Sequence, residues 1–229
     1  MNFYAHAFIA ARRDVQPSWV FGAMAPDFAA MAGMRLIAVN GDCVLAEGVE
    51  FHHRSDDAFH GAPIFIELME QARVELQGQG LGFGPAAGIG HVGVEMILDG
   101  VLVERHGLLD CYVEAMAAAE ELEHHLHFPG VDRRESALRW QLLFAWLRRA
   151  RIPLDYGQPV VVADLLFRTL ASRPALALCE RDAVVVHDWA LRWRPRVAER
   201  TEALLEQVEQ RLRMSSVGIK NPEGHIRST

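Results

Sequence analysis

Histidines and carboxylates recur at four-residue intervals in two short segments of this sequence. In the first segment, His52, Asp56 and His60 would form one stripe on a helix, because residues four apart face the same side. Imidazole nitrogens and carboxylate oxygens are ligands that zinc, manganese and iron accept, and this spacing brings two of them within reach of one ion. The stripe predicts a divalent-metal site, with a solvated charged face as the alternative.

The second segment repeats the pattern with His91, Glu95 and Asp99, inside an otherwise apolar stretch. Burying an unpaired carboxylate is costly, so such a group usually pairs, binds a metal or shifts its pKa. Polar groups on one face of an apolar helix therefore need partners. The segment predicts further metal ligands.

His6 and Asp27 could complete a mononuclear or dinuclear site. His6 lies in the first apolar segment, and Asp27 follows Pro26 among apolar neighbours. Taken singly, each is more typical of a helix cap or a hydrogen-bonded core residue. Together with the two stripes they supply enough ligands for a metal that lowers the pKa of bound water and creates a hydroxide nucleophile.

The elements that must position these residues are predicted to be helices. Apolar residues recur at helical rather than alternating spacing through most of the chain, and breakers such as Pro129-Gly130 and Ile152-Pro153 separate the segments. The pattern predicts an all-α, single-domain bundle of about eight helices. The pair Asn40-Gly41 favours a hairpin of two very short strands, and the glycine-rich run 78–90 favours a loop or lid. The last helix is expected over 181–214, with an apolar face for packing.

Length and composition bound the class of protein. The 229 residues, 51% of them hydrophobic, can bury a substantial core, and one domain over residues 1–214 is expected. The polar segment 215–229 is expected to be a disordered tail. A formal charge of -7 argues against a nucleic-acid partner, because phosphate binding normally needs a basic face.

The cellular setting is predicted from the cysteines and from hydropathy. Cys43, Cys111 and Cys179 are far apart and lack CxxC spacing, so neither a disulfide framework nor a thiolate zinc site is expected. The first residues do not have the pattern of a signal peptide, and no stretch approaches the roughly 20 apolar residues that span a bilayer. A cytoplasmic protein without a membrane partner is expected.

Several segments resemble the acyl carrier protein phosphodiesterases. The opening MNFYAHAFIA, the segment GAMAPDF and the segment GVEFHHRSDDAFHGAPIF are similar to motifs of that family. Glu95 and Asp99 fall where the family has two acidic residues four apart, and LASRPALAL at 170–178 is similar to its late S-R-R-P-L segment. The likeness touches most of the chain to about residue 210 but is dense only in the first hundred residues.

The resemblance implies an all-helical fold related to HD-domain phosphohydrolases and a divalent-metal-dependent phosphodiesterase activity. Manganese is the metal that the family implies, with zinc or iron as alternatives. The residues that would match the family's metal and catalytic positions are His6, Asp27, His52 and Asp56, and Asp99 would join them. The implied substrate is a phosphoester small molecule or a phosphopantetheinyl-type compound. His60 and Glu95 replace aspartates of the family and Gly100 replaces a histidine, which weakens the case for acyl carrier protein itself.

The leading hypothesis is a metal-dependent phosphoester hydrolase. The candidate ligands are His6, Asp27, His52 and Asp99 for one ion and Asp56, His60, His91 and Glu95 for a second. Asp56 is the first candidate for a general base and Glu95 is a further catalytic candidate. Arg54 would stabilise the developing charge on the phosphate.

Two alternatives remain open. The HxxxE spacing of His91 and Glu95 is also found in zinc-dependent phospholipase C-like hydrolases. A helical metal-binding module without catalysis would explain the departures from the family pattern. The identity of the bound metal would distinguish the first alternative from the leading hypothesis. Failure to hydrolyse any generic phosphodiester would favour the second alternative.

Overall fold

The computed structural model describes residues 1–217, which form an all-α bundle with one minimal sheet. The α-helices are α1 (Phe3–Ala10), α2 (Pro17–Met31), α3 (Cys43–His60), α4 (Pro63–Gly78), α5 (Phe83–Gly88), α6 (Val94–His106), α7 (Asp110–Leu122), α8 (Arg133–Arg149), α9 (Pro159–Ala171) and α10 (Ala183–Val217). A π-helical turn, Ile89–Gly93, joins α5 to α6 into one continuous helix, Phe83–His106. The predicted all-α fold is confirmed.

Local sequence signals explain where many of these helices begin. Proline occupies the first helical position of α2, α4 and α9, where its missing N–H leaves no hydrogen bond unmade. The Asp42 side chain accepts a hydrogen bond from Leu45 N at the start of α3. The Asp132 side chain caps α8 in the same way.

Helix α1 lies at the centre of the protein, and all eight of its residues are buried. Its N-terminal residue Asn2 makes no side-chain cap. Instead, Asp99 from α6 accepts hydrogen bonds from Tyr4 N at 3.1 Å and from Ala5 N at 2.8 Å. The first-turn N–H groups of α1 are thus satisfied by another helix, which ties α1 to α6.

Helices α2 and α3 cross where two glycines meet. A Cβ atom added at Gly22 would lie 2.4 Å from the carbonyl oxygen of Leu45, and one added at Gly48 would lie 2.4 Å from that of Trp19. Such distances are sterically forbidden, so only glycine permits this approach. The close crossing brings Ala23 of α2 within hydrogen-bond distance of His52 on α3.

Two local expectations are wrong. Strand β1 (Ala38–Val39) pairs antiparallel with β2 (Leu126–His127) instead of forming a hairpin at Asn40-Gly41, because α3 begins directly after that turn. The glycine-rich run forms the end of α4, then α5 and the π turn, instead of a loop or lid. Helix α10 continues through residues 215–217, and the remainder of the predicted tail lies outside the described residues.

Helices α2, α3, α6 and α7 pack around α1. Helix α10 contacts α3, α4, α6 and α9, and its predicted apolar positions Leu204, Leu205, Val208 and Leu212 are buried. By length and composition the helix Phe83–His106 could cross a membrane, contrary to the expectation that no stretch of the chain is apolar over such a length. In the apolar 18-residue stretch of that helix, 83% is buried inside the protein.

Candidate metal centre

Three helices bring His6, Asp27 and His52 together, and we call these residues the first ligand group. His6 comes from α1, Asp27 from α2 and His52 from α3. One ligand atom of each lies within 4.8 Å of those of the other two. The imidazole rings of His6 and His52 stack with their centroids 4.0 Å apart. The group therefore depends on the packing of α1, α2 and α3.

The hydrogen bonds of Ser55 determine which nitrogen of His6 carries a proton. Ser55 Oγ donates its hydrogen to the carbonyl oxygen of His52 at 2.9 Å. It lies 2.9 Å from His6 Nδ1, so it must accept there, and Nδ1 is the protonated nitrogen. His6 Nε2 is left as a buried lone pair without a hydrogen-bond partner. Two carboxyl oxygens lie near it, Asp56 Oδ1 at 3.6 Å and Asp27 Oδ2 at 3.8 Å.

His52 is oriented in a similar way. Its Nδ1 donates to the carbonyl oxygen of Ala23 on α2 at 2.9 Å, which leaves Nε2 as the ligand nitrogen. Metal-binding histidines usually donate their second ring N–H to such a carbonyl. Burial lowers the pKa of His6 to about 4 and that of His52 to about 2, so both rings are neutral at pH 7. Neutral imidazole is the form that binds metals.

Asp27 contributes a second unpartnered atom to the same place. Its Oδ2 is buried and has no hydrogen-bond partner among the described residues. Burial raises the pKa of Asp27 well above its usual value, and the neighbouring acidic residues Glu95 and Asp56 add to this rise. Burial therefore favours the protonated carboxyl group of Asp27 when no cation is bound, and a metal ion would favour the carboxylate. His6 Nε2 and Asp27 Oδ2, which lie 3.8 Å apart without hydrogen-bond partners, are placed to share such an ion.

His60, His91 and Glu95 form a second ligand group beside the first. His60 Nε2 lies 3.0 Å from His91 Nε2 and 3.1 Å from Glu95 Oε1, and His91 Nε2 lies 3.1 Å from the same oxygen. His60 is the last residue of α3, His91 lies in the π turn and Glu95 lies on α6. π-turns often occur at functional sites.

The contacts of His60 require a cation in this group. His60 Nδ1 lies 3.0 Å from the carbonyl oxygen of Asp56 and 3.2 Å from its Oδ2, both acceptors, so Nδ1 carries a proton. In neutral His60 the Nε2 lone pair would then face the Glu95 carboxylate. A proton on Nε2 resolves this repulsion, and the hydrogen bonds with Asp56 and Glu95 raise the pKa of His60 to about 9. A metal ion would resolve it equally well.

Asp56 lies between the two groups. Its Oδ1 is 3.6 Å from His6 Nε2, and its Oδ2 is 3.2 Å from His60 Nδ1. The amino group of Met1 lies 2.7 Å from Asp56 Oδ1 and 3.1 Å from Glu95 Oε1, and so places a positive charge between these carboxylates. Although partial burial opposes ionisation, His60 and this ammonium hold the pKa of Asp56 well below its usual range.

A pocket of about 410 Å³ is lined by all three residues of the second ligand group and by Asp27 of the first. Asp27, Asp56, His60, His91 and Glu95 line it on the polar side, and the other lining residues are Met1, Ala87, Gly88, Val92, Arg173 and Leu176. A small molecule in the pocket could thus reach Asp27 and the second ligand group, while His6 and His52 lie buried behind Asp27 and Asp56.

Two sequence-predicted site residues do not join this arrangement. Asp99 lies outside both ligand groups, because its two oxygens accept the backbone N–H groups of α1. Arg54 is exposed, lies over the ring of Phe51 and is not among the pocket residues. Both corrections have a physical cause: Asp99 meets a helix N-terminus, and Arg54 lies on the solvent side of α3.

Sequence reasoning missed two residues that belong to the site. Ser55 orients His6, and its signal is its position between His52 and Asp56, three residues beyond the first and directly before the second. Arg173 reaches the pocket from the segment after α9. Its signal is the S-R-P stretch within the late segment that resembles the phosphodiesterase pattern.

Comparison of the chain with family models, with curated proteins and with solved structures found no match.

Proposed function

We propose that this protein is a metal-dependent phosphoester hydrolase. One observation carries the proposal: the buried, unprotonated Nε2 of His6 faces the acceptor oxygens of Asp27 and Asp56 beneath an open pocket. No donor among the described residues satisfies His6 Nε2 or Asp27 Oδ2. A divalent cation would bind His6 Nε2 and Asp27 Oδ2 directly, and Asp56 Oδ1, which the Met1 ammonium contacts at 2.7 Å, lies beside them.

The residues present fit such an ion. The first ligand group would hold one ion through two imidazoles and a carboxylate, and the second group would hold another through the same donor types. Ligand atoms about 2.0–2.2 Å from a tetrahedral ion lie roughly 3.3–3.6 Å apart. The distances of 3.0 and 3.1 Å between ligand atoms of the second group are slightly shorter than this range. The ligand atoms of the first group lie within 4.8 Å of one another, which allows a wider separation. Small side-chain shifts would therefore accommodate an ion in each group.

The donor set restricts the type of metal. Imidazole and carboxylate ligands without a thiolate suit manganese, iron and zinc. We propose manganese first, because the resemblance to acyl carrier protein phosphodiesterases implies it, and the HD-domain-like relationship is part of the same proposal. When bound, such an ion supplies Lewis acidity at a phosphoryl oxygen and a water nucleophile that is reactive at neutral pH.

The protein's own residues would perform three tasks. The two ligand groups would fix the reacting phosphoester at the pocket floor, and Ser55 and the Ala23 carbonyl would hold the histidines in their binding tautomers. Asp56 would orient the attacking water or accept its proton, since its carboxylate reaches both groups. We place Glu95 among the ligands of the second group. The substrate would be a phosphodiester small molecule or a phosphopantetheinyl-type compound in the cytoplasm.

A zinc-dependent phospholipase C-like hydrolase is the second candidate. One contact favours it, the 3.1 Å approach of His91 Nε2 to Glu95 Oε1, which fits an HxxxE pair that shares one ion. The nature and number of tightly held ions would separate the two. Zinc in both ligand groups would support the phospholipase-like function, whereas activity restored by manganese would support the first proposal.

Elemental analysis combined with a phosphodiester assay tests the proposal. Wild-type protein should carry stoichiometric manganese, iron or zinc and hydrolyse bis(p-nitrophenyl) phosphate. The His52→Ala variant should lose both properties and keep its helical circular dichroism. The matched control is His53→Ala, since His53 is the adjacent, exposed histidine. Absence of metal from the wild type after manganese loading would refute the hydrolase, and metal without turnover would favour a non-catalytic metal-binding module.

A further inference from the structure

Arg173 is the arginine of the pocket. It follows α9 and lines the pocket together with Leu176, on a segment separate from the helices that carry the ligand groups. Within the described chain, its guanidinium makes no hydrogen bond or ion pair, whereas Arg13, Arg73, Arg105 and Arg139 are all paired with glutamates. Arg173 is therefore an uncompensated positive charge beside a pocket whose floor is acidic.

The segment that carries Arg173, residues 172–178, is held against α5 by two glycines. A Cβ atom added at Gly84 would lie 2.0 Å from the carbonyl oxygen of Ala175. One added at Gly88 would lie 3.0 Å from Leu170 and 3.6 Å from Leu176. The segment can approach the pocket this closely only because α5 has no side chains at these positions.

The pocket combines acidic and basic groups. Asp27, Asp56 and Glu95 line it with carboxyl groups, so an anionic substrate needs positive charge from the metal in addition to the Met1 ammonium beside Asp56 and Glu95. Arg173, an exposed residue of the segment after α9, adds a further positive charge to the lining. A guanidinium offers a planar fork of donors that matches two phosphate oxygens.

We propose that Arg173 binds the phosphoryl group of the substrate and that residues 172–178 form the substrate-recognition segment. This inference rests on the proposed function and specifies its substrate-binding residue. Leu176, Val92 and Ala87 give the same pocket an apolar wall. The substrate class that fits is a phosphoester with one apolar substituent, whose phosphate contacts Arg173 and whose substituent lies against Leu176.

The direct test measures the binding of inorganic phosphate to manganese-loaded protein by calorimetry. The variants are Arg173→Ala and Arg173→Lys, and the control is Arg168→Ala, since Arg168 is an exposed arginine on α9 outside the pocket. A charge-assisted hydrogen bond contributes about 1.5–3 kcal/mol, which corresponds to roughly 10- to 100-fold in affinity. Arg173→Ala should weaken phosphate binding by that factor and raise KM for bis(p-nitrophenyl) phosphate more than it lowers kcat. Arg173→Lys should recover part of the loss.

A second variant tests the recognition segment without altering Arg173. Gly84→Ala places a methyl group against the carbonyl oxygen of Ala175 and should displace the segment, which would weaken phosphate binding several-fold. Gly78→Ala is the control, because a Cβ atom at Gly78 meets nothing within 4 Å. All variants should keep the metal content of the wild type, because none of these residues belongs to a ligand group.

The outcomes separate this inference from the proposed function. If the wild type binds metal and phosphate and Arg173→Ala binds phosphate equally well, the inference is wrong and the hydrolase proposal stands. If Gly84→Ala and Gly78→Ala bind phosphate alike, the segment has no role in recognition. If the wild type binds no metal, the proposed function fails and the inference fails with it.

Discussion

His6 Nδ1 lies 2.9 Å from the hydroxyl oxygen of Ser55, and this contact determines the nitrogen that His6 presents to Asp27. The serine hydrogen is donated to the His52 carbonyl, so the hydroxyl can only accept from His6. One serine thereby fixes the tautomer of one candidate ligand and contacts the backbone of another. Its removal is expected to affect metal binding without touching a ligand.

The Ser55→Ala variant should weaken metal binding by about 10- to 100-fold, as is typical when the partner of a metal-binding histidine is lost. His6 would then be free to exchange tautomers or rotate. Titration with manganese in the presence of a competing chelator measures the change. Thermal melting of the metal-free protein provides the control, since a large loss of stability would show a structural role instead.

The Asp56→Asn variant should lower kcat by about 10²-fold or more, the usual contribution of a general base. Asparagine keeps the shape of the side chain but cannot accept a proton from water. Asp57→Asn is the matched control, because Asp57 is the adjacent, exposed carboxylate. Equal rates for the two variants would exclude Asp56 from the reaction.

The Asp99→Ala variant should retain its metal but lose stability. The substitution removes the acceptor for the N–H groups of Tyr4 and Ala5, and each unsatisfied buried donor costs about 1–3 kcal/mol. Urea unfolding would measure the loss, and elemental analysis would measure the metal. Loss of the metal in a folded variant would reinstate Asp99 as a ligand.

Asp99 should also contribute to the pH dependence of stability. Burial raises its pKa to about 8, even though Ala5 N and Tyr4 N donate to it. A carboxyl group whose pKa is higher in the folded state stabilises the fold at low pH, and this stabilisation is lost as the pH rises through about 8. The free energy of unfolding should therefore decrease as the pH rises from about 5 to about 8, which lies between the ordinary pKa of an aspartate and the raised pKa of Asp99. An unchanged slope in Asp99→Asn would contradict this assignment.

The Gly48→Ala variant should disturb both the fold and the first ligand group. The added methyl group would lie 2.4 Å from the carbonyl oxygen of Trp19, so α2 and α3 must separate. Overpacking of this kind costs about 1–3 kcal/mol. Because His52 donates to Ala23 across the same crossing, metal affinity should fall as well. Gly78→Ala should change neither quantity.

The sequence predicts the kinds of ligand better than their grouping. The spacing of His52, Asp56 and His60 correctly predicts a common helix, but His52 joins the group with His6, while His60 joins the one with His91. Spacing along one helix cannot show which neighbouring helix each turn contacts. Asp99 illustrates the same limit, because its i, i+4 relation to Glu95 does not show that the next turn meets the N-terminus of α1.

Arg173 could not be assigned from spacing, because it lies 113 residues after His60 in a segment without helical periodicity. Only the packing of residues 172–178 against the glycines of α5 brings it to the pocket. The all-α class, in contrast, depends on apolar periodicity within single segments. That property is local, and the sequence is sufficient to predict it.

The π turn between α5 and α6 makes this segment sensitive to the deletion of a single residue. A π-helical turn carries one residue more than an α-helical turn, and here that turn contains His91. Deletion of a single residue within Ile89–Gly93 would restore a regular helix and rotate everything before it by about 100° relative to Glu95. A one-residue gap in an alignment would therefore mark the relatives that have lost the second ligand group, even where every histidine and carboxylate is retained.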